Sequence, residues 1–216
     1  MQHFCTSATI ISTMDETVRS SWEKFLDPDV LRSNLIMASV YIAAFETLKT
    51  TIVEQIRSFY VTGFDSSVRK DGGLLVDSSY QTRVLSRSRS PVYASLDWLK
   101  ESHAIDDDDV ATFERAKACR NEITHGINQV LSGGLPADLP DRFTEMVALV
   151  DKIGRWWVVN VEIPTNPDFD GEEIDEAGIV PGPTIGLRLL MDIALGTEEE
   201  SQFYITEFLN HTRQER

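Results

Sequence analysis

DPDVLRSNLIMASVYIAAFETLKTTIVEQIRSFY, residues 27–60, is the stretch that decides the fold. Its apolar side chains recur at spacings of three and four residues, which places them along one face of an α-helix. They are Leu31, Leu35, Ala38, Ile42, Phe45, Leu48, Ile52 and Ile56. Asp27 is placed to cap the first turn, and Pro28 suits the first helical position because it has no backbone N–H. The stretch therefore predicts one long helix whose apolar face packs in a bundle.

Similar patterns predict helices on both sides of this stretch. They are expected over residues 15–25, 91–102, from the aspartate run 106–109 to Gly133, and over residues 140–159, 184–195 and 198–212. The aspartate run suits a helix N-terminus, because carboxylates there meet the positive end of the helix dipole. Thr197 and Glu200 have the spacing of a capping box before the last helix.

The segments between these helices complete the predicted organisation. Residues 61–90 are rich in glycine and serine and predict a loop, and no internal repeat or convincing strand is evident. The predicted fold is all-α, an antiparallel helical bundle over residues 1–160. Residues 161–216 are expected to form an acidic connector and C-terminal helices packed on that bundle.

Charge and composition narrow the class of protein. The chain has 216 residues and a net charge of −15, and residues 101–216 carry 9 basic and 24 acidic side chains. Such a balance argues against indiscriminate nucleic-acid binding, since phosphate contacts supply most of that affinity.

The two cysteines, Cys5 and Cys119, suggest neither a disulfide framework nor a zinc site. The first fourteen residues lack a basic n-region, and the longest apolar run, residues 35–45, is too short to span a bilayer. A cytoplasmic protein without a membrane anchor is expected.

Several common functional motifs are absent from the sequence. There is no phosphate-binding glycine loop, no HExxH and no GxSxG. NPDFDGEEIDEA, residues 166–177, imitates the start of a calcium loop, but Ala177 stands where a bidentate glutamate is needed and prolines replace the leading helix. Neither a metal nor another cofactor is therefore expected.

The helix after the aspartate run contains an unusual charge. Its apolar stripe comprises Phe113, Ala116, Ile123, Ile127 and Val130. Arg120 falls on this stripe, where a guanidinium must either extend to solvent or meet an anion or hydrogen-bonding partner. His125 lies about 140° around the helix from Arg120, whereas Asn121 and His125 share a face. One straight helix therefore does not aim Arg120 and His125 at the same point. A second copy of the helix across a two-fold axis would bring the same residues in a second time, so that both residue types could line one cleft.

RNEITH, with Arg120, Asn121 and His125, resembles the signature of the HEPN superfamily. That signature is an arginine, usually followed by a polar residue, and a histidine after four to six intervening positions on a late helix of an α-helical bundle. AAFETLKTTIV in the early helix also resembles the corresponding helix of larger members linked to abortive infection and toxin systems. The resemblance covers roughly residues 28–160.

The resemblance implies a metal-independent endoribonuclease that acts as a homodimer, with the paired motifs lining one cleft. It makes His125 the general acid or base at the 2′-hydroxyl and the leaving oxygen, Arg120 the residue that holds the scissile phosphate, and Asn121 an orienting residue. These residue types suit the reaction, because histidine exchanges protons near neutrality and a guanidinium matches phosphate oxygens. The expected product is a 2′,3′-cyclic phosphate. Glu46 is a candidate acidic partner for Arg120.

Other residues and functions complete the predictions. Arg83, Arg87 and Arg89 form a basic segment near Tyr80 and Tyr93 that could guide RNA by phosphate contact and stacking. The first hypothesis is a toxin or phage-defence effector that cleaves cytosolic RNA, with tRNA as one target and an antitoxin or regulatory protein as a partner. The alternatives are a non-catalytic dimeric binding or scaffold protein with the same fold, and a helical bundle whose motif match is a coincidence.

Overall fold

The long helix α2, Pro28–Phe59, is the axis of the fold. The computed structural model describes residues 15–67, 70–127, 130 and 134–214, and the expectations about residues 1–14, including Cys5, lie outside that part. The fold is all-α, as predicted. The other helices are α1, Glu16–Leu26; α3, Ser78–Arg83; α4, Pro91–Glu101; α5, Asp107–His125; α6, Leu139–Trp157; α7, Gly182–Leu195; and α8, Glu198–Gln214.

Helix α2 begins and packs as its sequence predicts. The carboxylate of Asp27 accepts hydrogen bonds from the backbone N–H groups of Asp29, at 2.9 Å, and Val30, at 3.3 Å, and Pro28 occupies the first turn. The buried face starts at Ala38, whereas Leu35 is 41% exposed. Helix α2 contacts α1, α4, α5, α6 and α7, and near its start Asn34 donates a hydrogen bond of 3.5 Å to the backbone carbonyl of Val130.

The core lies between α2, α5 and α6. Helix α5 contributes Phe113, Ala116, Cys119 and Ile123, all nearly or fully buried. Helix α6 contributes Phe143, Met146, Leu149, Val150, Ile153 and Trp157. Of the predicted stripe, Phe113, Ala116 and Ile123 on α5 and Val130 beyond it are confirmed as buried, whereas Ile127 is half-buried. Arg120 lies within this stripe.

The segment after α2 corrects one prediction. It contains two strands, β1, Val61–Phe64, and β2, Leu74–Val76, which pair in antiparallel register with Val61 opposite Val76. Gly73 has φ of 88°, and a Cβ there would lie 2.7 Å from the Phe64 ring. The prediction of a plain loop was wrong because strands of four and three residues are too short to show a periodic pattern.

Helix α5 starts as predicted and ends early. The Asp106 carboxylate accepts from the backbone of Asp108 and Asp109, and the Asp109 carboxylate accepts from the backbone of Asp106, which forms a capping box. The last residue of α5 is His125, and Gly126 caps it with φ of −102° and ψ of 21°. The predicted helix is interrupted at Gly126, because glycine has little helix propensity, and the described residues Ile127 and Val130 beyond it are again helical.

The C-terminal part packs on the bundle through α7. Helix α6 continues into the π-helical segment Val158–Glu162, and short turns at Pro167–Phe169 and Glu176–Gly178 lie in the predicted connector. Helix α7 contacts α2 and α6, and α8 contacts α7. The capping box before α8 is confirmed by hydrogen bonds between Thr197 and Glu200 in both directions.

Three tryptophans cluster at the end of α6. The ring centres of Trp98 and Trp156 lie 6.2 Å apart, those of Trp156 and Trp157 lie 6.1 Å apart, and Phe59 packs edge-on against Trp157. The fourth tryptophan, Trp22, lies on α1 and is 49% exposed. The cluster thus joins α4 to α6 and to the end of α2.

Two segments of the described chain are long and apolar enough to cross a membrane by length and hydropathy alone. They are Pro28–Phe59 and Glu176–Leu195. The core helix of a soluble protein passes the same test, and α2 is the central core helix here.

Candidate functional site

Arg120 lies on the core-facing side of α5 and reaches across to α2. Its Nη2 atom donates a hydrogen bond of 2.9 Å to Oε1 of Glu46, and its side chain is 30% exposed. The expected pairing of Glu46 with Arg120 is therefore confirmed. The pair lies at the edge of the core, since 41% of the Glu46 side chain is exposed.

Glu46 is shared between two cations. Its second carboxylate oxygen accepts a short hydrogen bond from Nζ of Lys49, one turn further along α2. The hydrogen bond from Lys49, followed by that from Arg120, holds the pKa of Glu46 below its ordinary value of 4.5. The carboxylate therefore stays ionised at neutral pH and holds both cations beside it.

The guanidinium of Arg120 has further contacts that fix its orientation. Nη1 donates to Oδ1 of Asn121 at 3.2 Å, and the guanidinium carbon lies 5.5 Å from the centre of the Phe45 ring. Nε is buried and has no hydrogen-bond partner among the described residues. A guanidinium carries five N–H donors, so donors remain for another anion.

His125 is placed differently from Arg120 and Asn121. It is the last residue of α5, its side chain is exposed, and it makes no hydrogen bond to another described residue. His125 follows Arg120 by five positions, which places it about 7.5 Å further along the helix axis and about 140° around it. The fold thus brings Arg120, Asn121 and Glu46 together, and His125 lies one turn beyond Asn121, on a different side of α5 from Arg120.

Arg120 and Asn121 border a cavity of about 230 Å³ between α2, α4 and α5. Two residues that the sequence did not single out also line it, Lys49 from α2 and Lys117 from α5. Lys117 precedes Asn121 by four residues, a spacing that places both on one face of a helix. This spacing was the available signal for Lys117.

A larger groove of about 880 Å³ lies on the other side of Glu46, along α2. Its lining includes three carboxylates, from Glu46, Glu54 and Glu162, and the aromatic side chains of Phe59 and Trp157. Clustered carboxylates repel a phosphate backbone, so the groove is a poor path for RNA despite its size.

The arginines of the predicted RNA-guiding segment have unequal roles. Arg87 forms ion pairs with Asp97, at 2.9 Å, and with Glu101, and these contacts bind the segment to α4. Arg83 and Arg89 are exposed. Tyr80 is only 7% exposed and belongs to the core, so the expectation that it stacks on RNA was wrong, whereas Tyr93 lines the cavity beside Arg120.

Fold and site together define an α-helical bundle with an ion-paired arginine at the wall of a polar cavity. Within the described residues, no group of three or more histidine, cysteine, aspartate or glutamate side chains is placed to hold a metal ion. No protein-family model matches the chain, and neither a curated protein nor a solved structure shows a significant match.

Proposed function

We propose that this protein is a metal-independent endoribonuclease of the HEPN type that cleaves cytosolic RNA as a homodimer. One observation carries the proposal. Arg120, the arginine of the motif, points into the seam between α5 and α2, is held there by Glu46 and Asn121, and lines a cavity.

The chemistry follows from the three motif residues. His125 takes the proton from a ribose 2′-hydroxyl, the oxygen attacks the adjacent phosphorus, and the bond from phosphorus to the 5′-oxygen breaks. A second imidazole protonates that oxygen as it leaves. The products are a 2′,3′-cyclic phosphate and a 5′-hydroxyl. Arg120 stabilises the charge that develops on the phosphate oxygens, Asn121 orients Arg120, and the reaction requires neither a metal ion nor a cofactor.

A dimer follows from where the motif residues lie on α5. Arg120 and His125 face different sides of one helix, so a single copy does not aim both at one phosphate. A second copy related by a two-fold axis brings the same residues in twice and supplies the second imidazole. In this proposal the protein is a toxin or phage-defence effector, tRNA is a candidate target, and an antitoxin or other regulatory protein restrains the activity.

The test is cleavage of RNA in the presence of EDTA. Wild-type protein, His125→Ala and His211→Ala are each incubated with total RNA, and the fragment ends are analysed for cyclic phosphate. His211 is an exposed histidine on α8, so its replacement is a matched control. Wild type and His211→Ala should give discrete fragments, whereas His125→Ala should be at least about a hundredfold slower. Cleavage by none of the proteins, or equally by all three, would refute the proposal.

The toxin role has its own test in cells. Expression of the wild-type protein should arrest growth, and His125→Ala should relieve the arrest at an equal protein level. Since His125 is exposed, its replacement should leave the fold intact, which circular dichroism would verify. Arrest that persists with His125→Ala would separate toxicity from RNA cleavage.

The alternative is a non-catalytic dimeric binding or scaffold protein. It is favoured by large exposed apolar side chains within about 100° of one another on α8, Ile205 at 49%, Phe208 at 64% and Leu209 at 44%. Apolar side chains grouped in this way are typical of an interaction surface. A protein that binds a partner through α8 and cleaves no RNA would establish this alternative.

A further inference from the structure

The cavity beside Arg120 combines three positive side chains with an apolar wall. Lys49, Lys117 and Arg120 line it, and its lining contains no carboxylate. Glu46 lies behind Lys49 and Arg120 and neutralises one of these charges. Glu114 also acts on Lys117 electrostatically, so three cations face two carboxylates and one positive charge remains at this place in a chain whose net charge is −15. An anion that approaches this acidic protein is attracted locally here.

Lys117 is the cation of the cavity that has no ion pair within the described part of the chain. Its Nζ donates a hydrogen bond to the hydroxyl of Tyr93 and lies 4.8 Å from the centre of the Tyr93 ring. The hydrogen bond to Tyr93 raises the pKa of Lys117 above its ordinary value of 10.5, so the ammonium stays charged at neutral pH. An ammonium has three donors and Tyr93 occupies one of them, which leaves two for phosphate oxygens.

The apolar wall is built from aromatic rings that support one another. Phe45 stacks on Phe113 with ring centres 5.8 Å apart, and Tyr93 packs edge-on against Phe113 at 6.2 Å. The cavity of about 230 Å³ is smaller than the roughly 300–1,000 Å³ of sites for drug-sized ligands. It therefore suits one phosphate and part of its nucleoside and excludes a folded RNA element.

We infer that this cavity is a subsite for one nucleotide of the RNA substrate, in which Lys117 holds a phosphate neighbouring the one that Arg120 contacts. The inference rests on the proposed function for the identity of the ligand. Tyr93 positions the ammonium of Lys117, and the aromatic wall receives the sugar or base. Ser90 lies at the rim directly after the exposed Arg89, so the basic segment 83–89 leads into the subsite.

The experiment measures binding separately from cleavage. The probe is a fluorescein-labelled oligoribonucleotide of about twelve nucleotides, a length within the range bound by single-strand sites. All its 2′-hydroxyls are methylated, so the attacking group is absent and the probe cannot be cleaved. Lys117→Gln removes the charge and keeps a side chain of similar length. Lys100→Gln is the matched control, because Lys100 pairs with Asp107 outside the cavity and its loss changes the net charge equally.

Lys117→Gln should weaken binding about fivefold or more at roughly 50 mM salt and reduce the slope of log affinity against log salt by about 0.7. Lys100→Gln should bind like wild type, and Lys117→Arg should retain most of the affinity. Adenosine monophosphate should compete with the probe and adenosine should not. Equal binding by Lys117→Gln and Lys100→Gln, or equal competition by adenosine and its monophosphate, would overturn the inference.

The two proposals fail in different ways. If wild-type protein cleaves no RNA but Lys117→Gln still loses affinity for the probe, the subsite stands and the nuclease does not. If wild type cleaves RNA and Lys117→Gln binds and cleaves like Lys100→Gln, the nuclease stands and the subsite does not.

Discussion

The ion pair between Arg120 and Glu46 positions the arginine side chain and contributes little to the stability of the fold. Both side chains are partly exposed, at 30% and 41%, and ion pairs in such surroundings contribute only about 0–1 kcal/mol to stability. The pair nevertheless connects α2 to α5 at the point where the motif arginine meets the cavity. We therefore expect its loss to change activity more than it changes stability.

Replacing Glu46 with glutamine tests this expectation. RNA cleavage should slow about tenfold or more, because Arg120 loses the negative charge that holds it, glutamine cannot accept from both Lys49 and Arg120 as the carboxylate does, and small displacements of a catalytic group are costly. Glu54→Gln is the control, since Glu54 lies on the same helix and pairs with Arg57. Cleavage rates of the two variants relative to wild type check the prediction. Equal rates for both variants would contradict a positioning role for Glu46.

The same variant predicts a dependence of stability on pH. The folded-state pKa of Glu46 is lowered, mainly by Lys49 and then by Arg120, so its contribution to stability is present above the ordinary value of 4.5 and is lost as the pH falls through the lowered value. Wild type should exceed Glu46→Gln in stability at neutral pH by less than about 1 kcal/mol. Urea unfolding from neutral to strongly acidic pH should show this difference disappear. A difference that grows in acid would have the wrong sign.

Cys119 should be unreactive until the protein unfolds. Its side chain is fully buried, and burial raises the pKa of its thiol above the ordinary value of 9.0. Since the thiolate is the nucleophile, iodoacetamide should modify Cys119 slowly in the native protein and rapidly in guanidinium chloride. Mass spectrometry of a Cys5→Ser variant at mildly alkaline pH isolates this thiol. Rapid native labelling would show that the α5 core opens readily.

At the scale of the element, α6 and α7 meet at a glycine. A Cβ on Gly154 would lie 2.5 Å from Cβ and 2.8 Å from Cγ of Pro181, at the start of α7. The proline ring is rigid, so it cannot swing aside as a flexible side chain would. The absence of a side chain at position 154 thus lets α7 approach α6 closely.

Gly154→Ala should lower the free energy of unfolding by about 1–3 kcal/mol, because the added methyl overpacks the contact with Pro181. Gly186→Ala is a control for which the opposite change in stability is expected. Gly186 is exposed within α7 and a Cβ there would meet nothing within 4 Å, so alanine should stabilise the protein by roughly 0.5–1 kcal/mol. Chemical denaturation of both variants checks these signs. Stabilisation of both would mean that α7 moves away from α6 at no cost.

The sequence predicts the long helices of this chain more reliably than its short strands. Helices α2, α5 and α6 each repeat an apolar pattern over several turns, and their starts carry Asp27, the aspartate run or a proline. The hairpin of β1 and β2 has too few residues for any period. The end of α5 at His125 was missed because a single glycine can lie within a helix or end it, and only the tertiary context decides.

Some contacts of the candidate site were predictable from the sequence and others were not. The pairing of Glu46 with Arg120 was predictable, because a charge on a buried stripe needs a partner and Glu46 lies beside the apolar face of the neighbouring helix. Lys117 and Tyr93 were not found as a pair, since 24 residues separate them and only the packing of α4 on the bundle brings them together. The ion pairs of Arg87 with Asp97 and Glu101 likewise depend on a turn that the sequence does not specify.

At the scale of the whole molecule, the proposed dimer makes a prediction about mixed subunits. In the proposed mechanism each cleavage uses His125 of both chains, so a dimer with one His125→Ala chain lacks an imidazole and should be inactive. An equal mixture of wild type and His125→Ala that exchanges subunits should have about a quarter of the activity of an equal total amount of wild type, since a quarter of its dimers carry two intact chains. RNA cleavage after co-refolding measures it. About half of the activity despite subunit exchange would show that one imidazole per dimer is enough.

The tryptophan cluster gives the molecule an optical signature. Trp98, Trp156 and Trp157 lie within 6.2 Å of a neighbouring ring, close enough for their excited states to couple, whereas Trp22 is distant from them in the chain and exposed. In a Trp22→Phe variant, all near-ultraviolet dichroism of tryptophan would originate where α4, α6 and the end of α2 meet. The tryptophan dichroism of this variant would then report on one junction of the bundle, beside the groove lined by Glu46, Glu54 and Glu162, without any attached dye.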